Sequence, residues 1–135
     1  MSAASNYLEN KVLDHVLKNT AYSQPSTLYV GLFTNTSGNA AANLEAGTLT
    51  DEVSGGSYAR KTAAFSAASS GSASTSATIT FDAATANWGT ITHVAVIDNS
   101  TSGNVLFWGA VTTSKTIETG DTFQITSGNL TISLA

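Results

Sequence analysis

Two histidines are the side chains of this 135-residue chain best suited to move protons near neutral pH or to hold a metal. Neither keeps the company that such work requires. His93 opens the stretch HVAVIDNSTSGNVLFWGAV, and a catalytic histidine needs a nucleophile to serve and a carboxylate to orient it. With 18 Ser and 21 Thr in the chain, a nearby hydroxyl singles out nothing, and no GxSxG elbow occurs. His93 is therefore expected to be partly buried and bonded to a neighbouring hydroxyl or carbonyl. His15 stands beside Asp14, whereas zinc takes four ligands, or three plus water. The adjacent carboxylates Asp51 and Glu52 could suggest glycoside hydrolysis, which needs two carboxyls about 5–10 Å apart in a cleft. Sequence neighbours in a soft loop are expected to be a solvated pair instead. GNAAANLEAG has glycines but not the GxxxxGK[ST] spacing that cradles phosphate. Trp88, Trp108 and the tyrosines could form a sugar-stacking platform, although core and interface positions are the favoured reading. The expectation is no catalytic residue, no cofactor and no metal.

The elements that would position such residues are better suited to building surfaces. Apolar residues make up 41% of the chain, enough for a core in one domain spanning residues 1–135. Charged residues reach only 10%, against about 25% in a typical soluble domain. Hydroxyls replace them, which suits strands, where Thr packs well, and contacts between copies, where few charges need desolvating. The net charge is −4, and the five cations Lys11, Lys18, Arg60, Lys61 and Lys115 form no stripe, so nucleic acid is not an expected partner. Cysteine is absent, and stability must come from packing or assembly. No apolar run approaches the roughly 18 residues of a membrane span. The first ten residues, MSAASNYLEN, lack the basic and apolar regions of a signal peptide, so synthesis in the cytoplasm is expected.

Residues 6–18 read as a helix, with Asn6 as its cap and Glu9 completing a capping box. Leu8, Val12 and Val16 recur every four residues, with Leu13 and Leu17 alongside. Strands are expected at 27–34, 57–65, 77–82, 91–98, 105–113, 122–126 and 130–134. Residues 35–57 read as a long loop and 66–76 as a hairpin loop. The opening stretch is itself a hairpin: NSTSGN is turn chemistry between two strands that are apolar on both faces. The fold class is mainly β, an antiparallel β-sandwich or open barrel-like fold of about seven strands (27–134) with one N-terminal helix.

Several stretches, in order, resemble a family of small proteins from tailed bacteriophages and prophages, tail-fibre-like or virion structural proteins. The pieces that carry the likeness are YLEN at 7–10, EVSGGSYAR at 52–60 and WGTITHVAVID at 88–98, within a similarity covering most of the chain. The resemblance implies a part of the virion. The function expected is non-enzymatic: a homo-oligomer, commonly a trimer, serving as a capsid cement or decoration protein or as a tail or fibre-like accessory. Its partners would be itself and other virion proteins. Contacts are expected at Leu8, Val12, Val16, Tyr29, Phe33, Phe107 and Trp108, through apolar burial. The alternative is a module that adheres to host-surface glycans through exposed aromatics such as Trp88 or Tyr58.

Overall fold

The computed structural model describes residues 3–134. It is built on a five-stranded antiparallel sheet with strand order β1-β7-β6-β2-β3. In sequence these are β1 (Ala3–Ala4), β2 (Leu28–Phe33), β3 (Lys61–Ala63), β6 (Gly89–Ile97) and β7 (Val105–Ile117). Two short ribbons form the second layer: β4 (Ser72–Ser74) with β9 (Thr131–Ser133), and β5 (Ile79–Thr80) with β8 (Gln124–Ile125). Among the described residues there are nine strands rather than about seven. The additions, β1 and β4, are made of Ala and Ser, which carry little intrinsic strand preference. Their pairing comes from β7 and β9.

Period-two alternation along the central strands sets the two cores. Leu28, Val30 and Leu32 of β2 join Val94 and Val96 of β6 against the ribbons, with Ile79, Phe81 and Phe123 opposite. On the reverse face, Phe33, Ala95, Ile97 and Val105 pack with Leu44. Leu44 belongs to α2 (Ala40–Glu45), a short helix inside the segment expected to be a loop. It forms because Ala40 and Leu44 cover apolar sheet surface that would otherwise face water.

One bulge changes the parity expected along β7. Val96 pairs with Phe107 and Ile97 with Val105, so Leu106 is the extra residue. Leu106 therefore shares a face with Phe107, and Val105 shares the other with Trp108. Strict alternation would instead place Leu106 with Trp108.

The N-terminal helix α1 (Asn6–Leu17) is capped by Ser5, not Asn6. Ser5 is fully buried; its Oγ accepts from the Leu8 N–H at 3.3 Å and donates to the Val105 carbonyl, and its N–H donates to the Leu106 carbonyl at 2.9 Å. A residue already tied to the sheet fixes where the helix starts. Beyond Leu8, the helix leaves the body of the molecule, and every residue from 11 to 20 is exposed.

Candidate functional site

The residues with chemical potential are dispersed and already engaged. His93 lies on β6, half-buried, with Nδ1 2.8 Å from the Thr92 hydroxyl and its ring tilted 6.3 Å from that of Trp108. Burial lowers its pKa, opposed in part by the charge of Asp51, so the environment favours the neutral ring. His15 accepts the Tyr22 N–H at Nδ1, 3.1 Å away. Among the described residues, no three His, Asp or Glu side chains are grouped to hold a metal ion. No described helix is long and apolar enough to cross a membrane.

Asp51 and Glu52 are not a solvated pair. Asp51 is buried and accepts from the Ser37 hydroxyl at 2.5 Å, the Ser37 N–H at 3.0 Å and the Thr36 hydroxyl at 3.1 Å. The Ser37 hydroxyl bond is the main reason its pKa falls, against a smaller opposing effect of burial. Glu52 forms a two-pronged ion pair with Arg60: Nε donates to Oε2 and Nη2 to Oε1, both at 2.7 Å. Arg60 Nη1 also donates to the carbonyls of Asn99 and Ser102, and so ties β3's approach to the β6–β7 turn. Tyr58 O–H donates to Glu52 Oε2 at 2.7 Å while its oxygen accepts the Leu32 N–H at 2.9 Å. Burial, then the Glu52 charge, push the Tyr58 pKa far up. For Arg60, burial alone would lower the pKa, and the bonds and charge of Glu52 raise it beyond that loss.

Two glycines make room for this network. A Cβ on Gly31 would sit 2.9 Å from Glu52 Oε2 and 3.2 Å from the Tyr58 hydroxyl. Gly56 has φ +58°, and a Cβ there would lie 2.8 Å from Trp88 Nε1, which donates to the Gly56 carbonyl at 2.9 Å. The segment EVSGGSYAR is thus a clasp: its ends meet in the ion pair and its second glycine, Gly56, receives Trp88. Trp88 is 5% exposed, and Tyr58 packs edge-on to it at 5.5 Å and stacks at 6.3 Å on Phe81. Trp88 is thus buried rather than exposed, and Tyr58 is half-buried with its hydroxyl engaged by Glu52 and Leu32.

The expected contact residues fall into three groups. Leu8 and Phe33 are buried inside the chain. Tyr29, Phe107 and Trp108 are half-buried, with Trp108 Nε1 donating to Glu45 Oε2 at 2.7 Å. Val12 and Val16 stand exposed at 38% and 69%, beside Leu13 at 54% and Leu17 at 76%. Phe107, Val96 and Ile132 are shared walls of two clefts, each about 310 Å³, one of them apolar and the other of mixed lining that includes Thr112, Asn129 and Thr131. A third cleft, polar and about 360 Å³, lies where the start of α1, the α1–β2 connection, β2 and the end of β6 meet. Sequence reading gave no signal for this third cleft, because its residues are spread from Tyr7 to Asn99.

A model of the protein family described as podophage GP4 fiber I protein gp80 matches residues 3–133. The chain belongs to that family, a phage fibre family, which supports a structural role in the virion. No curated protein matches the sequence.

Proposed function

With that fibre family as the premise, we propose that the chain is a non-enzymatic structural module of the phage tail fibre that assembles with copies of itself through α1. The single observation that carries this is the unpaired apolar side of the helix. Val12, Leu13, Val16 and Leu17 together leave uncovered the equivalent of somewhat over two fully exposed aliphatic side chains. Covering them would contribute about 4–7 kcal/mol per helix. Two helices in contact would then gain about 8–14 kcal/mol, of the same order as the estimated 4–15 kcal/mol cost of association. Contact beyond the helix is therefore needed, and a closed three-fold ring, which also brings neighbouring sheets together, is the arrangement we propose.

Charge supports packing between copies. The helix carries Glu9 and Asp14 against Lys11 and Lys18, so neighbouring helices can pair opposite signs along their flanks. Of the originally expected contact set, Val12 and Val16 remain the anchors, and Phe107 can contribute where it walls the open clefts. Leu8 serves a different purpose, joining the base of the helix to the sheet. Cryo-electron microscopy of the purified particle tests the role: density for this fold in the fibre supports it, and particles lacking the chain refute it. Adhesion to host-surface glycans has support in a different part of the molecule, the polar cleft at the foot of α1.

A further inference from the structure

Three tyrosines from separate elements line the polar cleft: Tyr7 from the first turn of α1, Tyr22 from the connection that follows, and Tyr29 from β2. Asp98 and Asn99, at the end of β6, complete the wall. Among the described residues none of the three phenol hydroxyls has a hydrogen-bond partner, whereas Tyr58, elsewhere in the chain, uses its hydroxyl twice. Asp98 accepts the Asn104 N–H at 2.7 Å and the Asn104 side-chain amide at 2.9 Å, which fixes the carboxylate and leaves it further acceptor positions. Asn99 uses its side-chain oxygen on the Ser100 N–H at 2.7 Å, and its amide donors are unengaged. Burial raises the Tyr22 pKa, followed by the proximity of Tyr7 and Asp98, consistent with the convergence of these groups.

From this arrangement we infer that the cleft binds an uncharged saccharide unit by hydrogen bonding. At about 360 Å³ the space falls at the small end of the range for small-molecule sites. The walls are mostly oxygen and nitrogen rather than ring carbon, so the matching ligand presents many hydroxyls. No cation lines the cleft and one carboxylate does, which disfavours sialylated, sulfated or phosphorylated sugars. A quaternary ammonium would need open ring faces, and the protein's own Lys11 already lies over the Tyr7 ring, 5.7 Å from its centroid. The inference is independent of assembly through α1.

The test is saturation-transfer NMR on the full chain with neutral methyl hexosides, dextran, sialyllactose and choline. Binding of the methyl hexosides supports a site for single sugar units, and binding of dextran alone supports a site for units within a polymer. Tyr22→Phe, which removes only an oxygen, should weaken either by about three- to tenfold, the range of one neutral hydrogen bond. Tyr7→Phe gives the second reading, and an unchanged near-UV circular dichroism spectrum shows that each variant is folded. No signal from any neutral sugar, a preference for sialyllactose or choline, or undiminished binding by both Phe variants overturns the inference.

Discussion

Replacing Glu52 with Ala removes the centre of the clasp and leaves a charge stranded. The Arg60 side chain is 4% exposed and that of Glu52 15%, so water replaces little of what is lost. Arg60 would keep its bonds to the Asn99 and Ser102 carbonyls but lose both 2.7 Å bonds to carboxylate, and Tyr58 would lose its acceptor. Breaking a buried pair from one side costs about 3–5 kcal/mol. For a chain of this size, that lowers Tm by roughly 10–20 °C. Asp82→Ala is the control: it breaks the Lys61–Asp82 pair at 2.9 Å, whose side chains are 30% and 62% exposed, and should cost about 0–1 kcal/mol. The assay is urea unfolding at fixed protomer concentration, since assembly shifts apparent stability. Adding Arg60→Ala to Glu52→Ala should cost much less than the sum of the single changes, because the stranded charge goes with it. The reasoning fails if Glu52→Ala and Asp82→Ala are equally mild, or if the two clasp substitutions simply add.

The same clasp makes Gly31 intolerant of a side chain. Gly31→Ala pushes a Cβ onto Glu52 Oε2 and should cost about 1–3 kcal/mol by urea unfolding, and much less once Glu52 is Ala. Asp51 gives the fold a pH dependence. Its folded-state pKa lies below the unfolded value, so its stabilisation is complete above the ordinary carboxylate range and is lost as pH falls through the lowered value. Unfolding free energies measured between pH 6 and 2 should therefore fall less steeply in Asp51→Asn than in the unsubstituted chain.

Much of the sheet was legible from the sequence because its signals are local. Leu28, Val30 and Leu32 alternate with Tyr29, Gly31 and Phe33, and in the structure the first three join one core while Phe33 joins the other. Features that depend on distant partners were not legible. Ser5 rather than Asn6 caps α1 because Val105 and Leu106 hold it, and those residues lie a hundred positions away. The helix at 40–45 has only weak amphipathic pattern, and the sheet face it covers decides it. Asp51 and Glu52 looked solvated because sequence does not reveal that Ser37 and Arg60 fold back onto them. EVSGGSYAR carries part of the family resemblance, and the structure supplies its physical content: an ion pair, a Tyr link and a glycine seat for Trp88. The contact residues divide by the same logic. Periodicity finds an apolar helix face but not how far along it the sheet reaches, which is Leu8 and no further.

Light scattering on the purified chain is the most direct measurement, read against a protomer mass of 13.8 kDa. The unsubstituted protein should show three protomers, about 41 kDa, the product of 3 and 13.8. Val16→Asp with Leu17→Asp, at positions 69% and 76% exposed, should give a folded monomer with the same near-UV spectrum. An unsubstituted chain that stays monomeric at high concentration, or an oligomer indifferent to both substitutions, would contradict assembly through the helix.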